Sequence, residues 1–364
     1  MDRFYFLSHA AIPFHFRQNA RDFVVDEIPL YEFSGVGEHL VLHIRKKNMS
    51  TWEMIDRIAN HLGIKARDIG YAGLKDKNAM TKQYISIMKK YEEKLESFSH
   101  DNIKILDKVV HNNKIKTGHL KGNRFFIRFK KVNPIAAKKI SGVLQNIKKH
   151  GMPNYFGYQR FGEQGDNYKR GKDILDGKVK EKNVKLKRLL INSYQSHLFN
   201  LWLSRRIEIS TLISNFSANE VSDMLNMPLD TIKKLQKQEH PFKLLRGDLM
   251  MHYPYGKVFT SEDEIDIERF NKRDISITGM LAGNRVKHAV DDAHIVEKEY
   301  SENLNIDGAR RYAWVFPEDL EWEYKEEDAW LELHFTLPKG SYATVLVEEI
   351  AKRDIKDDKN LEEA

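Results

Sequence analysis

A single carboxylate set between two lysines is where chemistry is most legible in this chain. The run Gly73-Leu74-Lys75-Asp76-Lys77-Asn78-Ala79-Met80-Thr81-Lys82-Gln83 reads as a turn that feeds a strand pattern, Tyr84-Ile85-Ser86-Ile87. Nearby cations favour the ionised form of a carboxylate, and an ionised carboxylate can act as a nucleophile or a base. An Asp after Gly-Leu-Lys is also an ordinary solvated turn residue. If Lys75–Lys77 is extended, Asp76 points opposite to both lysines. The lysines then suit the phosphates of a polyanion.

Three further segments carry polar or aromatic groups in suggestive patterns. Lys121-Gly122-Asn123-Arg124-Phe125-Phe126-Ile127-Arg128-Phe129 partly imitates the basic–Gly–aromatic strand of RNA-recognition modules. It lacks the inner Gly-Phe, so the plainer reading is an amphipathic strand with Phe125, Ile127 and Phe129 in the core. Asn123 at its entrance either forms a turn or offers its amide to a base edge. Asn154-Tyr155-Phe156-Gly157-Tyr158-Gln159-Arg160-Phe161-Gly162 sets aromatics, an amide and an arginine between glycines. Such a loop can stack on bases and contact phosphate, or serve as a structured hinge. Ser193–Asn200 lies in a helical pattern and reads as a packing motif.

Other site types are missing from the sequence. There is no phosphate loop, no dinucleotide fingerprint and no His-Glu-x-x-His spacing among the 15 histidines. The absence of cysteine excludes disulfides, thiolate catalysis and Cys-ligated metals. Neither metal nor cofactor is expected. Net charge is +7, with Lys and Arg crowded into Arg124–Lys131 and Arg170–Arg188 and acid into Glu318–Asp328. A basic half suggests a polyanion partner, most simply nucleic acid, or else a solvated surface. No run approaches the roughly 20 apolar residues of a membrane helix, and no signal peptide is visible, so the expectation is a cytoplasmic protein without membrane association.

The elements that must position these residues follow from periodicity. Asp22–Ile28 and His39–Lys46 read as strands, the second with Leu40, Leu42 and Ile44 alternating with Val41, His43 and Arg45. Ser50 and Glu53 form a capping-box pattern for a helix whose stripe is Met54, Ile55, Ile58 and Leu62 and whose stop is Gly63. Ile69–Ala72, Ile103–His111, Arg124–Phe129 and Ala329–Leu337 are further strands. Asn133-Pro134 opens a helix to about Lys149, closed by Gly151. Lys169–Lys187 reads as a charged connector, followed by helices over Leu189–Ile207, Ala218–Leu225 and Leu229–Gln238. Ser341 is the expected cap of a last helix, and the polar end is expected to fray. The ends look α+β and the middle differs, as for a domain inserted into another.

Together these segments resemble the TruD family of pseudouridine synthases along nearly the whole chain. The resemblance runs through Asp22-Phe23-Val24-Val25, the Gly73–Gln83 run, Lys121-Gly122-Asn123 and the complete Asn154–Gly162 block. It continues through Ser196–Asn200, Thr278-Gly279 and Ala309-Arg310-Arg311 to Leu337–Val345, where Tyr342 replaces the usual Phe. The resemblance implies an α+β pseudouridine-synthase fold with a mixed, largely antiparallel sheet and an inserted α/β TRUD domain. It implies a catalytic domain of residues 1–153 and 309–354, an insert of 154–308 and a frayed tail of 355–364. Asp76 is implied as the nucleophile, with Phe23, Asn123 and Tyr342 contacting the target nucleoside and Arg17 as a basic residue near the site.

The implied reaction isomerises uridine to its C-glycoside in tRNA, at position thirteen of the D arm, without cofactor, metal or obligatory protein partner. A stacked uridine cannot offer C1′ and C5 to a carboxylate, so the nucleotide should be flipped out and held against aromatics. Whether Asp76 attacks C1′ or acts as a base after cleavage stays open at this point. Two other readings stand beside this one: a non-catalytic RNA-binding protein, and a nucleoside hydrolase, which would need a second carboxylate near Asp76.

Overall fold

The computed structural model describes residues 3–261 and 264–355. Of the tail expected to fray, all but Ile355 lies outside the described residues. Among those described, no helix is long and apolar enough to cross a membrane.

In chain order the elements begin with β1 (Phe23–Pro29), β2 (His39–Lys47), α1 (Thr51–Leu62), β3 (Gly70–Tyr71), β4 (Met80–Met88), α2 (Glu92–Glu96), β5 (Ile103–His111) and β6 (Leu120–Phe129). Next come α3 (Pro134–His150), β7 (Met152–Pro153), α4 (Asn167–Leu175), α5 (Val184–Asn215), α6 (Ala218–Leu225), α7 (Leu229–Gln236), β8 (Leu249–His252) and β9 (Val258–Thr260). The chain closes with α8 (Glu264–Asn271), β10 (Ile275–Leu281), α9 (Asp291–Glu297), β11 (Ala309–Tyr312), β12 (Trp314–Val315), β13 (Glu318–Lys325), β14 (Trp330–Pro338) and α10 (Ala343–Ala351). The fold is α+β, as expected.

Local chemistry sets several boundaries. Ser50 and Glu53 cap each other's backbone at the start of α1, and Gly63 takes the left-handed conformation that ends it, with φ of 70°. The Asn133 side chain accepts from the Ala136 amide at 2.8 Å, so Pro134 begins α3 without a missing partner. Two expectations change. The charged stretch 169–187 is helical at both ends, to Leu175 and from Val184; α4 forms because Gly171 and Ile174 bury an inner face and Lys172 pairs with Asp176 one turn on. Tyr342, rather than Ser341, occupies the cap position of α10, with extended backbone and no side-chain cap.

By internal packing the described chain divides into two compact units, one of residues 13–141 with 317–340, the other of 3–12 with 142–316 and 341–355. The first holds a mixed, mainly antiparallel sheet in the order β13-β14-β6-β1-β4-β2-β5, with β3 on β4. Only β1 and β4 run parallel. Helix α1 lays Met54, Ile55, Ile58 and Leu62 on Leu40, Leu42, Ile44, Ile85 and Ile87. The second unit holds a four-stranded sheet, β11-β10-β8-β9, beside the long buried helix α5. An α/β insert was expected from the resemblance, but its strands were not located, although Ile275–Thr278 alternates. The chain ends also pack here: the Leu7 amide donates to the Glu349 carboxylate at 2.8 Å and the Ile12 amide to the Ala351 carbonyl at 3.3 Å.

Gly122 shows how tightly β6 and β14 meet. A Cβ there would stand 2.3 Å from the Leu337 carbonyl oxygen, whereas a Cβ on Gly142, in the exposed interior of α3, would meet nothing within 4 Å. Gly122→Ala is therefore expected to destabilise by roughly 1–3 kcal/mol, and Gly142→Ala to stabilise by about 0.5–1 kcal/mol. Melts followed by circular dichroism check this; matching midpoints for the two variants would contradict it.

Candidate active site

The register of the large sheet puts an unusual set of side chains on one face. Phe23, Val25 and Glu27 of β1 stand opposite Ile127, Phe125 and Asn123 of β6, which stand opposite Leu333, Phe335 and Leu337 of β14. On the other flank Leu40, Leu42, Ile44 and Lys46 of β2 oppose Ile87, Ile85, Gln83 and Thr81 of β4. The pairing of Val25 with Thr81 joins the halves, and side chains of paired residues share a face. The face is apolar along most of its length and turns polar at one end. There Glu27, Lys46, Thr81 and Gln83 are buried and Asn123 half-buried.

The loop carrying Asp76 is bound to this polar end. The Lys75 amide donates to Thr51 Oγ1 at 2.9 Å, and that hydroxyl donates to Gln83 Oε1 at 3.1 Å. The Lys75 ammonium lies 2.5 Å from Glu27 Oε2, with side chains 6% and 1% exposed. Glu27 also accepts from the Tyr84 amide at 3.2 Å. Lys46 donates to the Met49 carbonyl at 2.7 Å and to the Asp76 backbone carbonyl at 2.9 Å. Burial pushes the Lys46 ammonium down to about 8, while the carboxylates of Asp76 and Glu53 pull it up and the Lys75 charge lowers it. Asp76 itself is exposed, directly before a turn at Lys77-Asn78.

This corrects the expected role of the flanking lysines. Lys75 does not reach outward to phosphates, because the buried Glu27 carboxylate requires a cation. Lys77 does face solvent, 3.8 Å from Glu53. Arg17 is exposed. Sequence reading missed Glu27, Lys46 and Thr51. A signal existed for two of them: Glu27 continues the inward series Phe23, Val25, and Lys46 continues Leu40, Leu42, Ile44. A charged residue at an inward strand position is a buried charge that needs a partner.

The other expected site residues are distributed differently. Phe23 is 2% exposed. Its ring lies 6.0 Å from Phe16 and 6.2 Å from Phe125, so it is part of an aromatic core below the polar end. Asn123 sits inside β6 rather than in a turn, opposite Glu27, and its Oδ1 is buried without a hydrogen-bond partner. Thus Asp76, Asn123 and Phe23 belong to one unit. Tyr342 belongs to the other, half-buried at the start of α10, its ring 6.0 Å from Phe156.

In that second unit the Asn154–Gly162 block is clamped from within. Asn200 accepts from the Phe156 amide at 2.8 Å and donates to the Phe156 carbonyl at 2.9 Å. The Arg311 guanidinium lies 3.9 Å over the Phe156 ring and donates to Asn154. Phe156 therefore serves packing rather than an open stacking surface. Burial pushes the Arg311 guanidinium down to about 10, against the pull of Tyr342. Among the described residues no cluster of His, Asp and Glu could hold a metal ion.

Comparison with known proteins agrees with this architecture. The family model for tRNA pseudouridine synthase D (TruD) matches residues 2–184 and 179–350. A tRNA pseudouridine synthase D of Sulfurimonas denitrificans is 59% identical, over 98% of this chain and 100% of the relative. One from Nitratiruptor is 58% identical over 98% and 99%, and one from Helicobacter pylori 49% over 94% of each. A solved TruD structure from Methanosarcina mazei, 22% identical, superposes with a TM-score of 0.68 over 97% of this chain and 96% of that one, which establishes the shared fold. By end-to-end identity and by fold, the chain belongs to the TruD family of tRNA pseudouridine synthases, which are isomerases.

Proposed function

We propose that this chain isomerises uridine to pseudouridine in tRNA, at position thirteen of the D arm, with Asp76 as the nucleophile. The observation that carries this reading is an exposed carboxylate on a loop fixed from beneath by buried charged groups. Asp76 attacks C1′ as the N1–C1′ bond breaks, and uracil leaves as an anion. The base turns in place, C5 displaces the carboxylate from C1′, the C5 proton is lost and N1 takes one up. Atoms and charge balance with no external reactant. Glu27 is sealed in its pair with Lys75, and Glu53 is engaged in capping the Ser50 backbone at 2.6 Å, which disfavours a hydrolase using a second carboxylate beside Asp76.

The target nucleotide is flipped out to reach Asp76. The half-buried Asn123 amide, with Oδ1 unpartnered, is suited to a uracil edge or ribose hydroxyl. Phe23 acts as a rigid floor, since its ring has no open face. Tyr342 is assigned a stacking role by resemblance alone, and so is the placing of Arg17 near the site. In this reading segments 1–153 and 309–354 form the catalytic domain and 154–308 the insert. The pairing of β14 with β6, and of β13 with β14, supports it for residues 13–141 and 317–340, because the late strands complete the early sheet.

Asp76→Asn is expected to keep fold and tRNA affinity while lowering turnover at least about a thousandfold, as loss of a nucleophile does. Tritium release from C5-labelled uridine in tRNA measures it; turnover near wild type would sink the assignment.

The stretch between α4 and α5 is assigned to tRNA phosphates. Lys178 faces Asp176 and Asp173 at 3.0 and 3.8 Å; Lys180 and Lys182, and Lys185 in the first turn of α5, are exposed. Replacing those three with Gln should weaken tRNA binding and flatten the log–log salt slope by up to roughly 2. Stability should change little, because exposed charges contribute little. Affinity measured across a salt series decides; superimposable slopes would mean that this stretch does not touch RNA.

A further inference from the structure

Lys46 is the least expected residue at the polar end of the sheet. It occupies an inward position of β2, in line with Leu40, Leu42 and Ile44, and is 0% exposed. Its two hydrogen bonds go to backbone carbonyls, those of Met49 and Asp76. Taking an ammonium out of water is costly unless it is well paired, and an apolar side chain of similar length would fill the space at less cost. A plain packing role therefore does not account for lysine here. One of the two carbonyls belongs to Asp76.

We infer that Lys46 is a positioning residue for the reaction: its ammonium, sealed beneath the loop, holds the Asp76 backbone and keeps a positive charge near the Asp76 carboxylate. This rests on the reading of Asp76 as the nucleophile. A lysine serves where a neutral donor would not, because it supplies both the hydrogen bond and the charge. The second anchor of the loop, Lys75 on Glu27, fixes the residue before Asp76 but has its charge neutralised by Glu27. The Lys46 charge has no carboxylate in direct contact among its hydrogen bonds, so its field is left for the loop.

The groups facing Lys46 set its titration. They are the carboxylates of Asp76 and of Glu53 on α1, and the ammonium of Lys75. Burial outweighs them and brings the value from the ordinary 10.5 to about 8. Lys46 is therefore charged at neutral pH and loses its proton as pH rises through about 8. Between that value and 10.5 the unfolded chain binds more protons than the folded one, so this group makes the fold more stable as pH rises. Turnover should fall over a range in which this group does not unfold the protein.

The test compares pH profiles of kcat and KM on tRNA for the full chain, for Lys46→Met and for Lys46→Cys aminoethylated with bromoethylamine under denaturant and refolded. The chain has no cysteine, so the reagent meets a single thiol. Wild-type kcat should fall above pH about 8 with KM flat. Lys46→Met should lose roughly ten- to a hundredfold in kcat, keep tRNA affinity and lose the alkaline limb. Aminoethylation should restore most of kcat, with the limb moved to lower pH because the inserted sulfur withdraws electrons from the ammonium. Wild-type kcat with an intact limb in Lys46→Met overturns the inference. If that variant does not fold, the aminoethylated protein decides alone, and an unmoved limb overturns it. A wild-type chain inactive on tRNA, or an active Asp76→Asn, would sink the functional reading first and this inference with it.

Discussion

Glu27 is a carboxylate at the end of a core strand, and its ionised side chain cannot stay buried without a cation. Lys75 supplies one at 2.5 Å, and the Tyr84 amide supplies a further hydrogen bond. Removing one partner of such a pair costs about 3–5 kcal/mol, because the other charge is left uncompensated, whereas an apolar replacement of both is often neutral. The pair is therefore weak evidence for stability and stronger evidence for placement. It obliges the chain just before Asp76 to come down onto the sheet. Thr51 and Lys46 then secure the backbone on either side of the Lys75–Asp76 peptide. An exposed residue thus acquires a defined position at the surface of the sheet's polar end.

The same device recurs in the second unit, with an amide and a guanidinium in place of the ion pair. Asn200 satisfies both backbone groups of Phe156, and Arg311 covers the Phe156 ring while it bonds Asn154. A loop rich in aromatics and amides is rigid there because its own backbone polar groups are met by side chains. The residue types that suggested base stacking are largely spent on that rigidity. Composition alone does not separate the two uses, since an aromatic ring under an arginine looks the same in sequence whether it meets a base or a core.

What the sequence made legible was what repeats at short range. The α1 capping box, its stripe, the Gly63 stop and the inward alternation of β2 and β6 depend on neighbours a few residues away. The strand placing Asp76 and the Asp76 loop itself were readable for the same reason. Thr51 was not, and at Glu27 and Lys46 the inward alternation marks a buried charge without naming its partner, because each of the three matters through a partner 24 to 48 residues distant in the chain. The strands β8, β10 and β11 were hidden by the helical stretches before them, and α4 by its charge, since a polar outer face dominates a nine-residue helix that buries only Gly171 and Ile174. The packing of the chain ends with residues 142–316 has no local signal at all.

Because the anchors sit on separate strands, the site depends on register more than on the loop sequence. In a strand, a slip of one residue turns every side chain to the opposite face. A slip of β1 would swing Glu27 outward and bring Asp26 or Ile28 inward. Asp26, now on the other face, would leave its contacts with Lys82 at 3.3 Å and His43 at 3.7 Å. Lys75 would lose its counter-charge and the Asp76 loop its principal tie. The sheet resists this by its apolar pattern, with Phe23 and Val25 buried on the inner side. The irregularity between β1 and β6 falls between Ile28 and Pro29, beyond Glu27, where it can end the pairing without moving the carboxylate. The strand core and the loop anchor therefore enforce one another: the residues that exclude the wrong register are two and four positions from the charge that the loop needs.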